Sequence, residues 1–168
     1  MKKLITVIAA SLLLGSSVFA EGFLSANDLT VGEIKANQNE EDGFVINASA
    51  EKFVLIEDKS KDPATCGEEK ITNRISTKGS GSATERSFTF PAKAGETIYI
   101  YARSSNKKSA RPLKVINADG ATIAEVQAEP DAEKKDIKAI TVKVPANGTY
   151  TVFPTGGGAY FYMIKVAK

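Results

Sequence analysis

The sequence predicts an all-β protein, a β-sandwich of jelly-roll type with about eleven short strands. Three observations predict it. Past residue 28 the apolar residues recur with period two, Gly, Pro, Asn and Asp interrupt them at short intervals, and no helical periodicity lasts three turns. β-Branched and aromatic residues dominate the runs, as half-buried pleats require. Many short strands joined by polar turns pack as a sandwich rather than as layers with helices.

Strands are expected at LTVGEI (29–34), FVINA (44–48), KFVLIE (52–57), ITNRIS (71–76), RSFTF (86–90) and ETIYIYA (96–102). Five more follow at PLKVIN (112–117), TIAEVQA (122–128), AITVKV (139–144), TYTVF (149–153) and YFYMIKV (160–166). NADG (117–120) and PANG (145–148) place Asn and Gly where a tight hairpin needs positive φ. Alternation puts Ile98, Ile100 and Ala102 on one face of their strand and Tyr99, Tyr101 and Arg103 on the other. The same rule sets Tyr160, Tyr162, Ile164 and Val166 against Phe161, Met163 and Lys165. Both strands are apolar on both faces at their centres, which predicts central positions. Two charged stretches without periodicity, DKSKDPATCGEE (58–69) and AEPDAEKKD (128–136), are expected as exposed loops.

Residues 1–20 are read apart from the fold. A cationic MKK, an apolar LITVIAASLLLG and a small-residue Val-x-Ala ending predict a secretory signal peptide cleaved between Ala20 and Glu21. The apolar run is short for a spanning helix, which needs about 20 residues. Removing twenty residues from 168 leaves about 148, expected as a single β-sandwich domain over 21–168. The chain carries 22 Lys and Arg against 20 Asp and Glu. Lys2 and Lys3 account for the excess, so the mature chain is balanced. General attraction to nucleic acid or to an anionic membrane has no support in that balance. Cys66 is the one cysteine, which rules out an internal disulfide and leaves it free or paired between chains. With no histidine, the usual general base and the commonest metal ligand are missing.

Three segments resemble the accessory β-sandwich domains that follow the catalytic domain in many secreted bacterial pectate lyases. They are ITNRISTKGSGSATERSFTF (71–90), IYIYARSSNKKSARPLKVINADG (98–120) and GTYTVFPTGGGAYFYMIKV (148–166). The pattern falls on Arg74, Gly79-Ser80-Gly81, Arg86, Tyr101-Ala102-Arg103-Ser104-Ser105, Arg111-Pro112-Leu113 and Thr155 to Val166, in order. The resemblance implies a jelly-roll module similar to carbohydrate-binding modules, non-catalytic and usually tethered to an enzyme. Here the module fills the mature chain, so a free-standing one is expected.

From Thr97 to Ala118 there are five cations, Arg103, Lys107, Lys108, Arg111 and Lys114, and no acid. Arginine offers a planar fork that fits a carboxylate, and lysine adds a mobile point charge. A uronate-containing polysaccharide suits such a rim; the alternative is that Lys107 and Lys108 only keep a hairpin tip soluble. Arg103, Lys107, Lys108, Arg111 and Tyr101 are therefore the candidate ligand-binding residues. Arg74 and Arg86 either clamp a ligand or pair with acids such as Glu85 or Asp119. Tyr160 and Tyr162 are rings for a sugar face or for packing against the sheet. TGGGAY (155–160) enters a strand rather than a helix, so it does not read as a phosphate loop. Asp119, Glu129 and Asp131 show no calcium-loop spacing. No nucleophile has a histidine partner, and an enzyme is not expected; nor is a cofactor. Two functions fit these residues: an exported glycan-binding protein with an anionic polysaccharide as ligand, and a structural or assembly protein of the cell envelope with a protein partner.

Overall fold

The structure, a computed structural model, describes residues 22–131 and 135–168. The expected signal peptide lies outside the described residues. In chain order the strands are β1 (Gly22–Ser25), β2 (Gly32–Ile34), β3 (Gln38–Asn39), β4 (Val45–Asn47), β5 (Val54–Asp58) and β6 (Ala64–Cys66). They continue with β7 (Glu69–Ile71), β8 (Asn73–Ser76), β9 (Ser87–Ala92), β10 (Thr97–Ser104) and β11 (Arg111–Asn117). The last are β12 (Thr122–Ala128), β13 (Asp136–Ile137), β14 (Ile140–Lys143), β15 (Gly148–Pro154) and β16 (Ala159–Ala167). Every run expected from the alternation contains a strand. The additions, β1, β3, β6, β7 and β13, are two to four residues long, too short for a period to show.

Two antiparallel sheets make the sandwich. The first has the order β14-β10-β16-β8-β5-β2, with β1 also paired to β16; the second has the order β12-β11-β15-β9-β4-β3. From β8 to β11 the chain changes sheet at every strand, and it does so again from β12 to β16 once the short β13 is set aside. Consecutive strands therefore face each other across the core. Ile56, Ile75, Ile98, Ile100, Phe161 and Ile164 point inward from the first sheet; Phe44, Ile46, Phe88, Phe90, Leu113 and Val152 meet them from the second. Phe88 and Phe161 join the two sheets with ring centroids 4.7 Å apart. Each such side chain contributes about 1.5–3 kcal/mol by leaving water. β10 and β16 are central, as their two apolar faces predict.

The NADG turn joins β11 to β12 as a hairpin, with Gly120 at φ 79° and the Asn117 side chain accepting from the Asp119 and Ala121 amides. The PANG turn is not a hairpin. It links β14 in the first sheet to β15 in the second, Gly148 has no positive φ, and Asn147 Oδ1 instead accepts from the Ala94 amide at 2.9 Å. A corner between sheets needs a side-chain tie more than a primed turn.

The two charged stretches are not both plain loops. The middle of the first pairs with the end of the second in a third sheet, β13-β6-β7, where β13 lies parallel to β6 and the Thr65 amide donates to the Lys135 carbonyl at 2.7 Å. Ala64, Cys66, Ile71 and Ile137 are buried in it. Its outer strand β7 continues into a cap. Asn27 Nδ2 donates to the Lys70 carbonyl and Asn27 Oδ1 accepts from the Thr72 amide, occupying groups that an open edge would leave free. Cys66 is thus a free, buried cysteine rather than a loop thiol, which leaves no route to a bond between chains in the folded state.

The alternation expected along the last strand breaks once. Tyr101 pairs with Met163 but Ala102 pairs with Phe161, so Tyr162 is an extra residue in a β-bulge. Phe161, Ile164 and Val166 therefore share the inner face, while Tyr160, Met163 and Lys165 lie outside opposite Arg103, Tyr101 and Tyr99. Tyr101, Tyr162 and Met163 sit against the core cluster that includes Cys66 and Ile137. Gly67 in the β6–β7 turn comes so close that a Cβ there would stand 3.5 Å from the Tyr101 hydroxyl.

Burial pushes the Cys66 thiol from its ordinary 9.0 up to about 12 and the Tyr162 hydroxyl from 10.0 up to about 12, with Glu69 and Asp136 adding to the first and Asp131 to the second. The unfolded chain releases these protons first, so their stabilisation is complete below about pH 9 and is lost as pH rises toward about 12. Thermal unfolding followed by circular dichroism is expected to show Tm falling across that window, with a shallower fall in Tyr162→Phe. Under native conditions at pH 8 a thiol reagent is expected to leave Cys66 unlabelled and to react with it once denaturant is added. Phe161→Ala opens a void between the sheets and is expected to cost about 3–5 kcal/mol in denaturant titration.

Candidate functional site

A cleft of about 910 Å³ opens on the outer face of the first sheet, where that face meets the third sheet. Its floor comes from β8 and β16. Arg74 stands opposite Glu57 of β5 in the cross-strand register, and Arg74 Nε donates to Glu57 Oε2 at 2.6 Å. The guanidinium lies over the Tyr160 ring, 3.5 Å from its centroid, and Arg74 Nη1 is 3.6 Å from Asp131 Oδ2. Burial by itself would lower the Arg74 pKa; the hydrogen bond to Glu57 and the nearby Tyr160 hold it above the ordinary arginine value. The cation is thus fixed in place and stays charged. The bulge brings Tyr162 to the same floor as Tyr160.

One wall is the third sheet and the turn that feeds it. Asp58 Oδ1 accepts from the Ser60 amide and the Asp62 amide donates to the Lys59 carbonyl, folding the turn so that Lys59, Asp62, Pro63 and Ala64 line the cleft. Lys135 joins them and pairs with Asp62 at 2.8 Å, which holds the Asp62 carboxyl below the usual range. Asp131 and Ile137 complete that side. A second wall is the start of the basic loop, joined to the first where the Asp131 amide donates to the Asn106 carbonyl. Ser105 Oγ donates to the Gly158 carbonyl at 2.7 Å, and Asn106 Oδ1 accepts from the Lys108 and Ser109 amides, closing a turn that leaves Lys107 over the cleft and Lys108 away from it.

Four cations, Lys59, Arg74, Lys107 and Lys135, therefore meet two carboxylates, Asp62 and Asp131, each already beside a cation. Lys59 and Lys107 form no ion pair among the described residues. No group of three or more Asp, Glu or Cys side chains able to hold a metal ion occurs among the described residues.

Of the residues expected at a site, Lys107, Arg74, Tyr160 and Tyr162 come together here. The others lie elsewhere. Tyr101 packs under the β6–β7 turn. Arg103 lines a second hollow, and its two terminal nitrogens donate to the Pro130 and Asp136 carbonyls. Arg111 lies flat on Gly157, where φ is 131° and a Cβ would come within 2.9 Å of Arg111 Nε. Arg86 covers Gly79 and donates to the Phe53 carbonyl; Glu85 pairs with Lys52 instead. The Gly-Ser-Gly and triple-Gly runs give these two guanidinia room to pack. Lys59, Asp62, Asp131 and Lys135 were missed because they sit in the charged stretches read as loops. No periodic signal could have found them, because the strands beside them are two and three residues long.

Neither a protein-family model nor a curated protein matches the sequence. Solved structures resemble it at low identity. The endo-1,4-beta-D-xylanase 10B of Clostridium thermocellum, as its CBM22-1-GH10 modules with xylohexaose, matches with a TM-score of 0.49 and 12% identity over 83% of this chain and 29% of that one. The C-terminal CBM6 of LamC, a marine laminarinase from Zobellia galactanivorans, matches with a TM-score of 0.41 and 13% identity over 68% of this chain and 99% of that one. The carbohydrate-binding module CBM6cm-2 of Cellvibrio mixtus lichenase 5A, with cellotriose, matches with a TM-score of 0.38 and 16% identity over 88% and 96%. The chain spans under a third of the xylanase structure and nearly all of the other two. The latter two are carbohydrate-binding modules, and the likeness is one of fold.

Proposed function

We propose that this is an exported, non-catalytic glycan-binding protein whose cleft takes an anionic, uronate-type polysaccharide. One observation carries the reading: Lys59 and Lys107 line the same cleft as Tyr160 and Tyr162, and neither makes a salt bridge among the described residues. A chain of uronate sugars brings carboxylates at regular spacing to such lysines and hydroxyls to Ser105 and the Asp62 and Asp131 oxygens. Arg74 is held by Glu57 and covers one face of Tyr160, so it serves as part of the floor. Each exposed lysine contact is weak, about 0–1 kcal/mol, and useful affinity comes from several at once.

Affinity electrophoresis in gels containing polygalacturonate tests this. Retardation is expected, fading with added salt. Lys107→Ala is expected to weaken binding up to about fivefold, and Lys59→Ala combined with Lys107→Ala to remove most of it. No retardation by polygalacturonate or by any member of a panel of plant, algal and peptidoglycan-type polysaccharides would overturn the reading.

A second reading, a structural or assembly protein of the cell envelope, is favoured by Phe23 and Val31, large apolar side chains that are 46% and 53% exposed. Val31 precedes β2, an edge of the first sheet, and Phe23 stands on its outer face opposite Lys165. Sedimentation velocity is expected, on this reading, to show concentration-dependent assembly that Val31→Asp reduces. A chain that stays monomeric at high concentration excludes it.

A further inference from the structure

We propose that Arg103 is a positioning residue for the cleft rather than a contact for its ligand, an inference that rests on the glycan-binding reading. Arg103 leaves β10 on the outer face of the first sheet, opposite Tyr160. Its Nη2 donates to the Asp136 carbonyl at 2.9 Å and its Nη1 to the Pro130 carbonyl at 3.5 Å. Pro130 immediately precedes Asp131, and Asp136 immediately follows Lys135; Asp131 and Lys135 both line the cleft. One planar fork therefore holds the chain on either side of two cleft residues four positions apart, Asp131 and Lys135.

The surroundings make this fork the centre of the attachment. The Ser104 amide donates to the Glu129 carbonyl at 2.8 Å, and the Asp131 amide to the Asn106 carbonyl at 3.3 Å. The Lys135 carbonyl accepts from Thr65 at 2.7 Å, tying the same stretch into the third sheet. Arg103 does not line the cleft. It lines an adjoining hollow of about 550 Å³ with Glu129, Lys135, Asp136 and Lys138 among others, and Lys135 is the residue the two hollows share. Its Nε is buried without a partner, so the two carbonyl bonds are what compensate its enclosure. A lysine cannot take this role, because a single ammonium lacks the two divergent in-plane donors.

The experiment uses the whole chain and polygalacturonate in titration calorimetry, with Arg103→Ala, Arg103→Lys, Lys135→Ala and the Arg103→Ala/Lys135→Ala pair. Arg103→Ala is expected to weaken binding about two- to fivefold, the size of one misplaced lysine contact. Arg103→Lys does the same, and the double variant loses no more than the worse single one, because Arg103 acts through its neighbour. Losses that multiply in the double variant make Arg103 an independent ligand contact and overturn the proposal; so does an unchanged affinity in Arg103→Ala. Hydrogen exchange keeps the two readings separable. Faster exchange at the Thr65 amide in Arg103→Lys, which keeps the charge and the fold, supports positioning even where the wild-type chain binds no polygalacturonate and the functional reading alone has failed. Unchanged exchange there overturns positioning.

Discussion

The outer face of β10 and β16 is too apolar to face water, and the rest of the site follows from how it is covered. Tyr101, Tyr162 and Met163 stand on that face, opposite the inner residues that fill the sandwich. Leaving them exposed forfeits about 1.5–3 kcal/mol for each large side chain. The cover comes from two charged stretches far apart in sequence, which meet as β6 and β13 and turn Ala64, Cys66 and Ile137 downward. Their charged residues are left at the margin of the patch. The cleft is that margin.

A bulge of one residue decides what the margin contains. Without the extra residue at Tyr162, strict alternation would send Tyr160 and Tyr162 to the same face as Ile164 and into the sandwich. With it, Phe161 meets Phe88 inside while both tyrosines reach the cleft floor. Arg74 then finds an anion on one side and a ring on the other, a geometry that keeps a partly buried guanidinium charged. The tyrosine floor is thus a by-product of register, and the arginine on it belongs to the fold as much as to any ligand.

The four arginines, two expected at a ligand and two expected either there or in internal pairs, do different work. Arg74 closes a cross-strand pair, Arg86 and Arg111 lie on glycine backbone, and Arg103 ties down backbone carbonyls. Each is a planar, permanently charged group used where a flat donor surface fits between loops. The lysines are different. Lys59 and Lys107 extend from turns shaped by Asp58 and Asn106 side chains and make no salt bridge among the described residues.

The sequence by itself determined the eleven main strands, the central place of β10 and β16 and the sandwich they form. Those follow from local alternation, and burial on a pleat reads directly as period two. Lys107, Arg74, Tyr160 and Tyr162 were also legible as candidates, because charge and aromaticity are properties of the residue. Only the tertiary structure decided that they share a cleft, that Tyr101 and Arg111 do not, and that the charged stretches form its wall. Pairing β6 with β13 joins residues about seventy positions apart through strands of two and three residues. Strands that short carry no period of their own. Their register is set by the apolar face they cover, and that face exists only once the sheet has formed.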